Sequence, residues 1–221
     1  MMRHIKYIIV ILLLLVCTGC VKLEEDMEIK SNKSMTYTIN LSSYDKDVVD
    51  KYFNKDDINN LKRYYSIKEY KKDNYKGIKL VWKVKNIDDV SSTSDVVFSL
   101  NSIKDSIPTN VFKVSKGWFH NDYSANFIFN VEDIIDEDIS IDESNNNLIF
   151  KVMLDKSVKS NNADKVKGNT LIWNLDSSNT NEINFSFSMF NYSHIIITII
   201  FALFFLLVTI LSFKKILEKR V

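Results

Sequence analysis

The chain has 221 residues, with 29 Lys+Arg against 28 Asp+Glu, 46% hydrophobic residues, 4 Gly, 1 Pro and 2 Cys. A formal charge of +1 excludes a general nucleic-acid binder, which needs a basic surplus to displace counterions. Two cysteines cannot staple a disulfide-dense scaffold, and 3 histidines leave little with which to build a zinc site.

The chain starts MMRHIKYIIVILLLLVCTGC. Arg3 and Lys6 supply a short cationic segment, and Tyr7 to Val16 is an unbroken apolar run. As a helix that run spans only about 15 Å, half a bilayer core, which suits a secretory signal better than a permanent span. Thr18 and Gly19 precede Cys20, and small residues before a cysteine resemble the bacterial lipobox, although Cys17 stands where that pattern has Leu. The resemblance implies a lipoprotein signal peptide over 1–19, cleavage before Cys20, and diacylglycerol on the Cys20 thiol. The mature domain then has no free thiol and no disulfide, so its core must hold it together.

Past this leader, alternation announces strands. Leu23, Met27 and Ile29 share one face, Ser31 to Ser34 supply a turn, and Met35, Tyr37, Ile39 and Leu41 alternate, so 22–41 reads as a β-hairpin. Ser43 can cap a helix carrying Val48, Val49, Tyr52 and Phe53. A second helix, restarting at Asp56, would align Ile58, Leu61, Tyr64 and Tyr65. Strands return at Ile67–Lys71 and at Ile78, Leu80, Trp82 and Val84, with Gly77 expected to close the turn between them. Val111–Ser115 and Phe127–Val131 flank a long tip, Lys116 to Asp122. Leu148–Leu154, Thr170–Leu175 and Ile183–Phe190 complete the set. The expected class is α+β: mainly antiparallel sheet with one or two early helices, plus a C-terminal transmembrane helix.

Ile195 to Phe213 is a 19-residue stretch broken only by Thr198, Thr209 and Ser212. As a helix it is about 28 Å long, close to the hydrocarbon thickness. Lys214, Lys215, Lys219 and Arg220 follow at once, against Glu218 alone. That cluster places the C-terminus in the cytoplasm by the positive-inside rule. The expected organisation is a signal peptide (1–19), an extracytoplasmic domain (20–193), a transmembrane helix (194–214) and a basic cytoplasmic tail (215–221). The cell membrane would thus hold the domain at both ends, by lipid at Cys20 and by the helix.

These residues carry a family resemblance. The lipobox followed by Val21-Lys22-Leu23, the segment Tyr70 to Ile78, and above all Ser160-Asn161-Asn162-Ala163-Asp164 followed by Gly168-Asn169-Thr170-Leu171-Ile172-Trp173 resemble the LppM-domain lipoproteins of Gram-positive bacteria. That family has an Asn-Ala loop, then Gly-Asn-Thr-Leu-x-Trp, a last strand and a membrane helix. The Pro-Gly often found before its Asn-Ala loop is replaced here by Asp155 to Val158, and residues 86–110 and 132–147 match poorly. The resemblance implies a membrane-tethered extracytoplasmic α+β domain; an interaction with envelope glycolipids has been proposed for a mycobacterial member.

Catalytic chemistry has little to work with. His4 leaves with the leader and His194 sits at the membrane boundary, so His120 is the one histidine inside the domain. A Ser-His-Asp set is arithmetically available, but Gly-x-Ser-x-Gly is absent, as are phosphate-binding glycine loops. Glu132-Asp133 and Asp136-Glu137-Asp138 lack the spacing of a calcium loop. We therefore expect no catalytic residues, no metal, no cofactor and no nucleic-acid partner. Trp118, Phe119 and His120, at the tip of a hairpin, are the candidate contact residues for headgroups or a ligand. Trp82 and Trp173 read as core, with Trp173 a candidate to line a cavity. The expected function is a non-catalytic binding or interaction domain on the membrane, for an envelope lipid or glycolipid. A structural or assembly partner of a membrane protein complex is the alternative.

Overall fold

Alternating side chains make the first hairpin. The computed structural model describes residues 21–44, 58–59, 61–93, 98–99, 111–130, 148–176 and 179–218. Strand β1 (Val21–Ile29) pairs with β2 (Met35–Ser43) in continuous antiparallel register, Leu23 opposite Leu41 and Met27 opposite Tyr37. The turn between them uses a left-handed Lys33 (φ 68°), and Asn32 Oδ1 accepts from the Ser34 backbone N–H at 3.0 Å.

The hairpin β3 (Ser66–Lys72) and β4 (Tyr75–Val84) extends the sheet from β2. Its turn is Asp73-Asn74, with Asp73 in the left-handed region (φ 56°). Gly77 does not close that turn, as the sequence suggests; it lies within β4, opposite Ser42 and Tyr70. A Cβ there would fall 2.0 Å from the Leu41 carbonyl oxygen, so the close strand approach demands glycine.

On the other side of β1 lies β9 (Leu148–Leu154), paired in parallel, then β12 (Thr170–Asn174) and β11 (Lys165–Lys167), both antiparallel. Seven strands thus form one sheet in the order β11-β12-β9-β1-β2-β4-β3. A second sheet runs β10-β13-β8-β7-β5, from β10 (Val158–Asn161), β13 (Thr180–Phe190), β8 (His120–Asn130), β7 (Phe112–Lys116) and the short β5 (Ser91–Ser92). The two-residue β6 (Phe98–Ser99) pairs with β8 beyond β7. The last helix, α1, spans Tyr192–Glu218.

The described part of the domain is therefore mostly β-sheet, which corrects the α+β expectation. Among the described residues no early helix stands as an element. Ile58, Asn59 and Leu61 are helical, with the Tyr65 N–H bonded to the Leu61 carbonyl at 2.8 Å, and this single turn buries Leu61 and Tyr65. The apolar positions of the first expected helix, Val48, Val49, Tyr52 and Phe53, lie outside the described residues, as do Asp56, the expected signal peptide and Cys20.

The sheets meet through aromatic faces. Phe127 and Phe129 of β8 lie 5.8 and 5.1 Å from Phe150 of β9, and Trp173 of β12 lies 6.1 Å from Phe185 of β13. Burial of such rings, each worth several kcal/mol when truncated, is the main stabilising term. Polar pins join the layers at two places. A 3-10 turn, Ile87–Val90, carries Asp88 between Lys33 Nζ (2.7 Å) of the first hairpin and the Tyr123 hydroxyl of β8. Burial works against the Asp88 charge, but these hydrogen bonds prevail and hold its carboxyl below the usual range.

Asn162 makes the second pin, between β10 and β11. Its Oδ1 accepts from Trp173 Nε1 (2.9 Å) and from the Asn184 N–H (2.8 Å), while its Nδ2 donates to the Glu182 carbonyl (2.7 Å). The Asn-Ala loop and the Leu-x-Trp strand are thus parts of one lock: β12 in one sheet, β13 in the other. Gly168 (φ 58°) turns the chain between β11 and β12.

Candidate functional site

β13 ends at Phe190, and one residue later the chain enters α1. Tyr192–Ser212 is a stretch of 21 residues long and apolar enough to cross a membrane, and none of it is buried by the rest of the described protein. At 1.5 Å per residue it measures about 31 Å. Three of its hydroxyls are spent inside the helix: Thr198, Thr209 and Ser212 each donate to the carbonyl four residues earlier at 2.8 Å, so none of these three would present an unsatisfied donor to hydrocarbon.

The tip between β7 and β8 packs against the foot of this helix. It is tighter than the long loop expected from sequence. Only Gly117-Trp118-Phe119 lies between the strands, because β8 begins at His120. Gly117 N–H donates to the His120 carbonyl (2.9 Å), and a Cβ on Gly117 would lie 2.5 Å from that oxygen.

Trp118 stacks on His194 with ring centroids 4.7 Å apart and planes 20° apart. Its Nε1–H donates to Thr198 Oγ1 at 3.1 Å. His194 Nδ1 lies 3.1 Å from the Trp118 carbonyl oxygen and 2.9 Å from Asn191 Nδ2. The Asn191 backbone N–H donates to the Phe119 carbonyl (2.7 Å). Five residues on two segments thus tie the sheet to the helix.

The tip keeps its aromatic surface outward all the same: Trp118 is 59% exposed and Phe119 48%. The His120 and Phe190 rings lie 4.6 Å apart, tilted by 38°, and Lys156 Nζ lies over the same Phe190 ring, 5.6 Å from its centroid. Tyr192 continues the row, 6.0 Å from Phe190. Nearby Asp122 is already engaged by Lys159 (2.6 Å) and the Ser188 hydroxyl, which hold its carboxyl low.

Of the sequence candidates, Trp118, Phe119 and His120 therefore come together at the helix foot, whereas Cys20 lies outside the described residues. Trp82 and Trp173 are buried, as expected. Sequence reasoning missed Asn191, His194 and Thr198 as partners of the tip. His194 and Thr198 lie four residues apart on one helix face, a spacing that could have pointed to them.

It also missed Glu25. This carboxyl sits on β1, on the inward face with Leu23 and Met27, and is fully buried. Tyr37 donates a hydrogen bond to its Oε2, and Oε1 has no partner among the described residues. Burial pushes its pKa up to about 8, beyond what the Tyr37 bond offsets, and Asp26 adds to the rise. Period-two alternation alone places position 25 inside, so the signal was present.

No family model matches the chain, and no curated protein matches its sequence. Among solved structures, it is similar to the folded domain of the Mycobacterium tuberculosis LppM protein, determined by NMR. The TM-score is 0.47 with 11% sequence identity, covering 80% of this chain and 94% of that one.

Proposed function

We propose that the chain is a membrane-anchored extracytoplasmic lipoprotein of the LppM-domain kind, whose β-domain is a non-catalytic binding or interaction module for envelope lipids or glycolipids. Cys20 carries the lipid, residues 194–214 cross the cell membrane, and the basic tail lies in the cytoplasm. The observation that carries this reading is the junction: a strand of the domain passes into a long apolar helix whose apolar window the described protein leaves unburied, and a second segment of the domain is bonded to the foot of that helix. A soluble helix of such composition would be covered by its own protein.

The sequence supports the sidedness through two separate signals, the leader and the four basic residues after the span. The exposed aromatic row supports a role at the lipid surface. Three measurements test the reading on the full chain. Cys20→Ala abolishes acylation and processing; a reporter fused after Val221 is cytoplasmic; and mass spectrometry of the purified protein finds a stoichiometric lipid. An acylated Cys20→Ala variant or an external reporter overturns the topology, and lipid-free protein overturns the binding role.

A further inference from the structure

Trp118 is bonded to Thr198, and Thr198 lies three residues inside the apolar stretch that starts at Ile195. At 1.5 Å per residue that is about 4–5 Å past the start of the hydrocarbon-matched segment. The stack on His194 fixes the other end of the indole one helical turn higher. If α1 spans the bilayer, the indole cannot stand clear of it.

We infer that the Trp118-Phe119 tip is a wedge sunk into the outer leaflet at the boundary between headgroups and acyl chains, and that Lys156 and His120 meet lipid phosphates above it. This rests on the membrane-spanning reading of α1. The burial cost of an indole N–H in that layer is met by Thr198 Oγ1, which accepts from it while donating its own proton to the His194 carbonyl. Phe119 needs no such partner. The rings left exposed in the protein therefore have an occupant, the acyl chains around the helix.

Charge selects the headgroup. Lys156 and His120 flank Phe190, directly before the helix, while Asp122 is occupied by Lys159 and Ser188. A lysine ammonium free to reach outward from an aromatic ring favours an anionic phosphate over a zwitterionic surface. The tip and the Asn191–His194 bonds together hold the sheets at a set height and tilt, so the wedge determines which edge of the domain faces the lipid.

The test uses the full chain in vesicles of phosphatidylcholine, or of phosphatidylcholine with phosphatidylglycerol, containing lipids brominated near the top or near the middle of the acyl chain. The Trp118 contribution is the fluorescence removed by Trp118→Phe. It should be quenched about twofold or more, and more by the upper bromines, because interfacial indoles sit at that depth. Phe119→Trp in the Trp118→Phe background should restore a quenched signal, which guards against a misfolded single variant. Quenching should be stronger with phosphatidylglycerol, and Lys156→Gln should erase that difference.

Trp118 emission untouched by bromine but quenched by aqueous iodide, in protein that resists alkaline extraction from the vesicles, overturns the wedge and leaves the anchor standing. Protein released by alkaline extraction overturns the anchor itself. Equal quenching in the two lipid compositions overturns the phosphate contact.

Discussion

Two tryptophans with the same chemistry meet opposite fates in this protein. Trp173 is 4% exposed between the sheets, and Trp118 is 59% exposed at the foot of the helix. Each indole N–H has one partner, an Asn162 side-chain oxygen in the first case and a Thr198 hydroxyl in the second. The difference lies in what surrounds the ring. Phe150 and Phe185 enclose Trp173, whereas Trp118 touches His194 on one face and leaves the other open. A satisfied donor with an unsatisfied ring marks a surface made for an apolar neighbour; a satisfied donor with an enclosed ring marks a core.

The contrast is sharpest in stability. Phe150→Ala, which removes a ring touching Phe127, Phe129 and Trp173, should cost about 3–5 kcal/mol in denaturant unfolding. Trp118→Ala, which removes one exposed ring, should cost about 1 kcal/mol or less by the same assay. Equal costs would erase the distinction between core and wedge.

Glu25 gives the next effect, in pH. Its carboxyl has a pKa of about 8 when folded against an ordinary 4.5. The unfolded chain therefore loses its proton first, and stability falls as pH rises between those values, by roughly 3–5 kcal/mol in total. Glu25→Gln, titrated by chemical denaturation, should flatten that slope and leave the protein more stable than the parent at pH above 8. An unchanged slope would show that another group carries it.

Smaller effects separate the Asn162 pin from the Trp118–Thr198 contact at the helix foot. Asn162→Ala leaves the Trp173 N–H and the Glu182 carbonyl short of a partner, at a cost of about 1–3 kcal/mol. Thr198→Val removes the acceptor of the exposed indole. It should change unfolding by about 1 kcal/mol or less while shifting Trp118 emission in vesicles. If Thr198→Val proves the costlier of the two, the foot contributes more to folding than the lock between the sheets.

Strand β9 was legible to the residue, since Leu148 to Leu154 alternates over its whole length. The β1–β2 hairpin was nearly so. β10 and β11 were not, because their side chains are largely exposed and carry no apolar alternation. The reach of the 116–122 tip was overestimated for a related reason: His120, Asn121 and Asp122 look like loop residues, yet eleven backbone pairs with β13 recruit them into β8. Glu25 went unread because a charge on an apolar face interrupts the pattern that would place it there.

What the sequence determined by itself is local: the apolar run long enough to span a bilayer and the strands whose side chains alternate. These follow from period and length, which need no knowledge of neighbours. Only the tertiary structure decided that β1 lies between β2 and β9, that Asn162 reaches Trp173, and that Trp118 rests on Thr198. The β1–β9, Asn162–Trp173 and Trp118–Thr198 contacts join residues 11 to 125 positions apart, too far for a short window along the chain to show them.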